Sequence, residues 1–254
     1  MEIIICDSPN DVAVKAADIL QGYANRGATL GVATGSTPLA TYEELIRRHT
    51  AGELSFAGCK MFALDEYGGL PIEHEQSYYS VIHNELSNHV DIDPQDVHIP
   101  NGLAEDLAAG CADYEQAIVD AGGIDVQLLG IGANGHVGFN EPSSSLSSLT
   151  RMKTLHPQTV ADNARFFGSA EDVPVHVVTQ GLGTIQRAGQ LLLLATGEQK
   201  AHAISQLVEG PLSAACPASI LQIHPHATVI VDEAAASKLN NVDYYKFIQQ
   251  HKPA

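Results

Sequence analysis

The segment GIGANGHVGFNEP, residues 130–142, contains a cluster of polar side chains that could carry acid–base chemistry. Asn134, His136 and Glu141 follow one another closely within it. A histidine titrates near neutral pH and moves protons in both directions, and a neighbouring carboxylate can orient its ring. The cluster therefore predicts a proton-shuttling histidine with a carboxylate partner. A purely structural histidine is the alternative.

The same segment also matches the glycine fingerprint of a dinucleotide-binding turn, through Gly130, Gly132 and Gly135. That fingerprint requires a helix that starts at the turn, and an acidic residue after a strand about 20 residues later. Here Gly138 and Pro142 disfavour a helix, and the basic segment TRMKT occupies the place of the acid. We therefore do not expect a nicotinamide cofactor.

A second motif, LDEYGGL at residues 64–70, places Asp65 and Glu66 at the end of a predicted strand, before a pair of glycines. A carboxylate in such a place acts as a general base when its pKa and its position suit the substrate. A helix cap or a loop acid is the alternative for an isolated acidic pair.

A third motif, TGSTP at residues 34–38, separates a predicted strand from a predicted helix. Gly35 allows close approach of the backbone, and Ser36 or Thr37 can cap the helix. Pro38 suits the first helical position. Free N–H groups and the helix dipole at this point would bind an anion such as phosphate. No GK[ST] sequence follows, so this is not a Walker A loop, and a capped helix without a ligand is the alternative.

Predicted strands and helices alternate along the chain, and several strands are continuously apolar. The strands are expected at residues 2–6, 28–33, 60–64, 126–130, 175–178, 190–195 and 228–231. The helices are expected near residues 8–23, 39–46, 77–86, 104–121, 181–187 and 199–208. This pattern is typical of an α/β fold with a mostly parallel sheet and helices on both faces, here as a single domain over residues 1–254. Ligands bind at the carboxyl ends of such strands, where all three motifs fall.

Acidic residues outnumber basic ones in this 254-residue chain, with 30 Asp and Glu against 13 Lys and Arg, for a net charge of −17. Nucleic acids and anionic membranes bind positively charged surfaces, so neither is an expected partner. No Lys or Arg occurs between Met61 and Thr150, after which Arg151, Lys153 and Arg165 follow. An anionic ligand would depend on these few cations and on backbone N–H groups. A solvated surface is the alternative.

Four scattered cysteines, none of them in a CxxC pair, are typical of free thiols in a reducing compartment. The sequence has no apolar run of about 18 residues, and its first residues lack the basic flank of a signal peptide. We therefore expect a cytoplasmic protein without a membrane span. The HExxH spacing of zinc sites and the GxSxG elbow of serine hydrolases are also absent.

Longer segments carry a resemblance to a known family: FALDEYGGL followed by QSYYS, then LLGIGANGHVGFNEPSSSL, TRMKTL and NARFF. In this order they resemble the glucosamine-6-phosphate deaminase family, from about Gly31 to Asp232. The resemblance implies a Rossmann-like fold, shared with 6-phosphogluconolactonase and ribose-5-phosphate isomerase. It also implies conversion of glucosamine 6-phosphate and water to fructose 6-phosphate and ammonia. This reaction breaks a C–N bond by an isomerase-type mechanism, and the resemblance implies neither cofactor nor metal.

The resemblance further implies roles for individual residues. Asp65 matches the general base that takes a proton from C2 of the opened sugar and returns it at C1. His136 matches the residue that opens the pyranose ring, with Glu141 as its carboxylate partner. Some family members have Asp at the position of Asn134, and because Asn cannot accept a proton, it can only orient His136 or the substrate here.

The substrate phosphate is expected to bind residues from three parts of the chain. By resemblance, its ligands are Gly35, Ser36, Thr37, Arg165 and Lys200. Arg165 and Lys200, two of the few basic residues of the chain, would thus bind the substrate phosphate.

Ser144, Arg151, Lys153 and Thr154 match positions where some family members bind N-acetylglucosamine 6-phosphate as an activator, at contacts between subunits. The C-terminal sequence YYKFIQQHKPA departs from the longer tail that helps to form that site. Activation is therefore a hypothesis. The family ranges from monomers to hexamers, so a homo-oligomer is possible, and the resemblance implies a mobile lid over residues 151–175.

Two other functions fit parts of the pattern. A 6-phosphogluconolactonase or a sugar-phosphate isomerase would use the same phosphate loop, but DEY together with GHVGFNEP fits the deaminase family better. A sugar-phosphate-sensing domain of a transcription regulator would follow a helix-turn-helix, whereas a strand is predicted here from residue 2. We therefore expect an enzyme that acts on a small amino sugar phosphate.

Overall fold

Seven of the ten strands form one sheet in the computed structural model, which describes residues 1–252. From one edge to the other, they are β1 (Glu2–Cys6), β10 (Ala227–Asp232), β9 (Gln190–Ala195), β6 (Val126–Leu129), β2 (Thr29–Val32), β3 (Lys60–Ala63) and β5 (Val97–His98). Each strand runs parallel to its neighbours. The parallel sheet predicted from the apolar runs is therefore confirmed.

Helices cover both faces of this sheet. They are α1 (Pro9–Ala24), α2 (Ser36–Thr50), α3 (Tyr78–Glu85), α4 (Leu107–Asp120), α5 (Pro157–Phe167), α6 (Leu182–Ile185), α7 (Ala201–Val208), α8 (Glu233–Ala236) and α9 (Val242–Gln250), with 3₁₀ helices at Ser87–His89, Pro94–Asp96, Glu198–Lys200 and Pro217–Ile223. Successive side chains of a strand point to opposite faces. Leu191 and Leu193 of β9 accordingly lie in one apolar cluster, and Leu192 and Leu194 in the other. None of the helices within residues 1–252 has both the length and the hydropathy required to span a bilayer.

The other three strands form a separate antiparallel sheet, in the order β4 (Asp65–Tyr67), β8 (His176–Thr179) and β7 (Arg151–Thr154). The predicted strand at 60–64 ends as expected, but DEY continues as β4 instead of entering a loop. The Leu64 N–H donates to Val32 O in the parallel sheet at 3.0 Å, and Leu64 O accepts the Gln180 N–H at 2.8 Å. The chain therefore passes from one sheet to the other at Leu64, which places Asp65 at the joint.

Two elements near this second sheet, β7 and α5, are not among those predicted, and the strand predicted at 175–178 lies in the antiparallel sheet. Positions along β7 alternate between half-buried and exposed. The continuous apolar run that marks β6 and β9 is therefore absent from β7. Helix α5 has a single buried residue, Thr159, and its apolar residues Val160, Ala164 and Phe167 are only partly buried.

Candidate active site

The three motifs meet at one edge of the parallel sheet, as predicted. The strands β9, β6, β2 and β3 are neighbours, and because they are parallel, their carboxyl ends lie at the same edge. At about 4.8 Å between neighbours, these four ends span about 15 Å. Side chains from the four segments that follow these strands are therefore close enough to contact one small ligand.

Asn134, His136 and Glu141 form a continuous hydrogen-bonded chain. Glu141 Oε2 accepts a hydrogen bond from Asn134 Nδ2 at 2.8 Å, and Asn134 Oδ1 lies 2.7 Å from His136 Nδ1. A carboxylate can only accept, so the Asn134 amide must turn its nitrogen to Glu141 and its oxygen to the ring. In the neutral imidazole the proton is therefore on Nδ1, and Nε2 is the atom that can accept a proton.

Glu141 is ionised beside this histidine. Burial opposes ionisation, because the residue is only 7% exposed, but hydrogen bonds from His136, Thr159 and Asn134 outweigh it and lower the pKa of Glu141 to about 2. His136 Nδ1 lies 2.7 Å from Asn134 Oδ1 and 3.5 Å from Glu141 Oε2, so the histidine also interacts directly with the carboxylate. The ionised carboxylate therefore faces the side of the ring on which Nδ1 carries its proton.

The glycines of this loop serve the histidine and not a dinucleotide. A side chain at Gly132 would overlap the His136 ring, and Gly135 has a φ of 84°, which residues with a Cβ rarely adopt. The Gly132 N–H donates to His136 O at 2.9 Å and closes the turn. No helix begins in residues 130–142. The expectation that this turn lacks dinucleotide-binding geometry is confirmed.

Asp65 is the first residue of β4, and only 5% of it is exposed. Burial, and then the negative charge of neighbouring Glu66, raise the pKa of Asp65 well above its usual range. A carboxylate with a raised pKa holds a proton more tightly once it has taken one, which suits a base that acts on a carbon-bound proton. Its Oδ2 lies 3.2 Å from the place that a Cβ would take at Gly138, so the loop after β6 passes directly over the carboxylate.

Glu66, the other acid of the DEY motif, has a structural role. Its carboxylate accepts the N–H groups of Tyr67 at 2.7 Å, and of Tyr78 and Tyr79 at 2.9 Å each. Tyr78 and Tyr79 are the first residues of α3, whose N–H groups have no partner within the helix. The helix-cap alternative is therefore confirmed for Glu66, and Asp65 is left as the candidate base.

We expect Gly138→Ala to reduce both stability and activity. Gly138 has a φ of 54°, and this backbone region costs a residue with a Cβ about 1–2 kcal/mol. The new methyl group would also lie 3.0 Å from Thr179 Oγ1 and 3.2 Å from Asp65 Oδ2. A small displacement of a catalytic group is costly, so kcat should fall about 10-fold to 100-fold. Urea unfolding and steady-state kinetics would measure the two effects.

Gly122→Ala is the matched control for this substitution. Gly122 has a φ of 88°, but among residues 1–252 no neighbouring atom lies within 4 Å of the added methyl group. It should therefore lose stability by a similar amount and keep the kcat of the wild type. A wild-type kcat in Gly138→Ala would show that the position of Asp65 tolerates the added methyl group.

The TGSTP segment begins α2, but its cap differs from the prediction. Gly35, and neither Ser36 nor Thr37, is the N-cap residue, with a φ of 103° and no side-chain hydrogen bond. Because Gly35 has no side chain, it supplies no capping acceptor to the first N–H groups of α2, which can therefore bind an anion. The buried Tyr42 hydroxyl positions this loop, since it donates to Ala33 O at 2.7 Å and accepts the Ala33 N–H at 3.1 Å.

The two predicted phosphate cations lie close enough to influence each other. Lys200 ends the 3₁₀ helix that follows β9, and Arg165 is an exposed residue of α5. Burial, and then the positive charge of Arg165, lower the pKa of Lys200. Two cations held near each other attract an anion, which would relieve their mutual repulsion. Their role as phosphate ligands stays a prediction.

The four predicted effector residues occupy different surroundings. Arg151 and Lys153 are half-buried on one face of β7, and Thr154 is exposed on the other face. Ser144 is buried, and within residues 1–252 neither its hydroxyl nor Arg151 Nη1 has a hydrogen-bond partner. Their role in binding an effector stays a prediction.

The contacts that two residues make in the site could not be inferred in the sequence analysis. Gly138 belongs to the motif, but its contact with Asp65 depends on how the two sheets join. Thr159 donates a hydrogen bond from its hydroxyl to Glu141 Oε1, across 18 residues of sequence. No local pattern links a threonine of one helix to an acid on another loop, so this contact could be found only in the folded chain.

Comparison with known proteins gives relatives along the whole chain. Residues 8–230 match the family described as glucosamine-6-phosphate isomerases/6-phosphogluconolactonase. The chain is 64% identical over 252 residues to a glucosamine-6-phosphate deaminase of Corynebacterium aurimucosum, covering 99% of both chains. It is 56% identical over 255 residues to that of Rhodococcus jostii, covering 100% of this chain and 98% of the relative.

Solved structures agree with these relatives. A monomeric glucosamine-6-phosphate deaminase is 42% identical to this chain and matches it with a TM-score of 0.92, over 94% of this chain and 100% of the other. A 6-phosphogluconolactonase from Trypanosoma cruzi shares the fold with a TM-score of 0.76 at 20% identity, over 94% of this chain and 97% of the other. The chain therefore belongs to the glucosamine-6-phosphate isomerase/6-phosphogluconolactonase family.

Proposed function

We propose that this chain is a glucosamine-6-phosphate deaminase, which converts glucosamine 6-phosphate and water to fructose 6-phosphate and ammonia. Relatives of that name are 55–64% identical over nearly the whole chain. The observation that carries the proposal is the pairing, at one sheet edge, of buried Asp65 with the Asn134–His136–Glu141 chain. A lactonase would not require a base that moves a proton between two carbon atoms.

The phosphate would bind first, at the start of α2. The N–H groups that Gly35 leaves uncapped, with the hydroxyls of Ser36 and Thr37, would surround it from one side. Lys200 and Arg165 would supply the positive charge from the other side. These contacts hold the end of the sugar that does not react, so they orient C1 and C2 toward the acid–base groups.

His136 would then open the pyranose ring. Its Nε2 accepts the proton of the O1 hydroxyl, the C1=O bond forms, the C1–O5 bond breaks, and the same proton passes to O5. The imidazolium formed midway faces the ionised Glu141 carboxylate 3.5 Å away. Asn134 fixes the tautomer that leaves Nε2 free to accept, so in this sequence it contributes orientation and carries no proton.

Asp65 would carry out the isomerisation. Its carboxylate removes the proton from C2 of the open amino aldehyde while O1 takes up a proton, which gives an enolamine. It then returns the C2 proton to C1 while the amino nitrogen gives up a proton, which gives a ketimine, so the total number of protons is unchanged. Water then adds to C2, ammonia leaves, and the ketone of fructose 6-phosphate remains. Positioned acid–base groups of this kind contribute about 10²–10⁴-fold each.

The proposal is tested by giving the purified protein two substrates. We expect ammonia release from glucosamine 6-phosphate and little hydrolysis of 6-phosphogluconolactone. Lactone hydrolysis without ammonia release would reverse the assignment in favour of the lactonase branch of the family. Binding of the sugar phosphate without turnover of either compound would favour a sugar-phosphate sensor.

We expect Lys200→Met to raise the KM for glucosamine 6-phosphate about 10-fold to 100-fold, which is the worth of a hydrogen bond between charged groups. Methionine is unbranched and only one atom shorter than lysine, but it has neither the charge nor the N–H donors, so KM should rise while kcat changes little. Inhibition by inorganic phosphate should weaken in parallel. A fall in kcat at unchanged KM would place Lys200 in the chemical step instead.

We also infer a cytoplasmic location, which is supported by four cysteines that are all free and by a phosphorylated substrate. Assembly into a homo-oligomer stays a prediction, and the effector site with it. The solved relative at 42% identity is monomeric. The lid predicted at 151–175 corresponds to β7, α5 and the segment between α5 and β8.

A further inference from the structure

A hydroxyl group of α5 contacts the carboxylate of the ring-opening cluster. Thr159 Oγ1 donates a hydrogen bond to Glu141 Oε1, whereas Glu141 Oε2 faces Asn134 and His136. Thr159 and Glu141 are both more than nine-tenths buried. One carboxylate thus divides its two oxygens between the helix and the histidine.

Thr159 is not needed to cap its own helix. The cap of α5 is His156, whose Nδ1 accepts the Gln158 N–H at 3.1 Å. Thr159 is the third residue of α5 and the one residue of this helix that is buried. The side chain that α5 inserts most deeply is therefore a hydroxyl donor placed on a carboxylate of the site.

The same helix carries Arg165. Residues 159 and 165 are about 9 Å apart along the helix axis, at 1.5 Å per residue. The charge of Arg165 reaches Lys200 on the segment after β9. Helix α5 therefore connects the region proposed for the phosphate with the carboxylate proposed for ring opening.

We propose that Thr159 is a positioning residue, which holds the Glu141 carboxylate so that Oε2 faces Asn134 and His136 when α5 is seated. This inference rests on the proposed function, because it uses Glu141 as the partner of His136 in ring opening. Phosphate binding by Arg165 seats the helix and so favours the arrangement that opens the ring. Without the hydroxyl, the carboxylate rotates about its side-chain torsions, and Oε2 no longer stays directed at Asn134 and His136.

Thr159→Val and Thr159→Ser separate the hydroxyl from the shape of the side chain. Valine keeps the branched shape without the donor, and serine keeps the donor. We expect Thr159→Val to lower kcat for glucosamine 6-phosphate about 10-fold to 100-fold, the range for a hydrogen bond to a charged group, with a smaller change in KM. Thr159→Ser should stay within about 3-fold of the wild type. An unchanged kcat in Thr159→Val would overturn the proposal.

Asn163→Leu is the matched control on the same helix. Asn163 Nδ2 donates to the Tyr67 hydroxyl at 2.9 Å, so it also anchors α5 to the body of the protein without touching the histidine cluster. Its kcat should stay within about 3-fold of the wild type. If Asn163→Leu lowers kcat as much as Thr159→Val does, Thr159 merely holds the helix, and the positioning role is wrong.

A double-mutant cycle with Glu141→Ala tests whether Thr159 acts through Glu141. Alanine has no acceptor for the Thr159 hydroxyl, so in this background Thr159→Val should cost less than about 3-fold in kcat. The full loss in both backgrounds would show that Thr159 does not act through Glu141.

Hydrogen exchange provides a readout that needs no turnover. Amides of residues 157–167 should exchange at the wild-type rate in Thr159→Val, because Val160, Ala164 and Phe167 also pack α5 against the protein. Faster exchange together with a lower kcat would show that Thr159 merely holds the helix and would refute the positioning role. Failure of the wild type to release ammonia would refute the proposed function alone, and an unchanged kcat in Thr159→Val would refute the positioning role alone.

Discussion

Asp65→Asn is expected to lower kcat by about 10²–10⁴-fold, the usual contribution of a positioned general base. The amide matches the carboxylate in shape but cannot take the C2 proton. Its effect should fall on kcat while KM changes little, because the phosphate contacts lie on other loops. Steady-state measurement of ammonia release by the two proteins gives the result.

The same substitution should stabilise the folded protein at neutral pH. Burial raises the pKa of Asp65 in the folded state above the value of about 3.9 in the unfolded chain. Ionisation therefore costs the folded state free energy, and this cost grows as the pH rises from the unfolded pKa to the folded pKa. Asparagine does not ionise, so its advantage should be absent below about pH 4 and should grow as the pH rises above that value. Urea unfolding at both pH values measures it.

Asp91→Asn is a control of opposite sign. Burial raises the pKa of Asp91, but hydrogen bonds from Ser55 and from the Phe56 N–H outweigh it and lower the pKa overall. Asp91→Asn should therefore lose stability at neutral pH and keep the wild-type kcat. A stable but inactive Asp65→Asn beside a less stable but active Asp91→Asn would separate catalysis from folding. A fully active Asp65→Asn would remove Asp65 from the mechanism.

His136→Gln is expected to lower kcat by about 10²–10⁴-fold as well. Glutamine can still hydrogen-bond to Asn134, but it cannot carry a proton between O1 and O5 of the sugar. KM should remain close to that of the wild type, because the phosphate ligands are intact. Ammonia release under saturating substrate is the measurement.

His226→Gln provides the matched control for this change. His226 directly precedes β10 and so lies at the amino edge of the sheet, opposite the candidate site. Its substitution should leave kcat unchanged. If His136→Gln kept more than about one third of wild-type kcat, ring opening would have to proceed without this histidine.

The parallel sheet could be predicted because each of its main strands is a continuous apolar run. The antiparallel sheet could not, because β7 alternates between half-buried and exposed positions and β4 is only three residues long. The sequence around Asp65 indicates a strand end, whereas its position at the joint follows from Leu64, which bonds to both sheets. Asp65 is buried, and its pKa is therefore raised, because it lies where the chain passes from one sheet to the other.

The histidine cluster could be predicted because its three members lie on one loop, within a short stretch of sequence. The chemical role of each of the three residues could not be derived from their spacing, because it depends on the orientation of the Asn134 amide. Contacts between distant segments, such as Thr159 with Glu141 and Lys200 with Arg165, depend on the placement of α5. The family resemblance identified Lys200 and Arg165 as candidate phosphate ligands. The contact of Thr159 could be found only in the folded chain.

The most direct test of the central claim, a single buried carboxylate that carries the proton from C2 to C1, is isotope transfer. Glucosamine 6-phosphate with deuterium at C2 would be converted in ordinary water, and the C1 hydrogens of the product read by NMR. Because Asp65 is only 5% exposed, part of the deuterium should arrive at C1, in one of the two positions only. Complete loss of the label to water, or label in both positions, would contradict transfer by this shielded carboxylate.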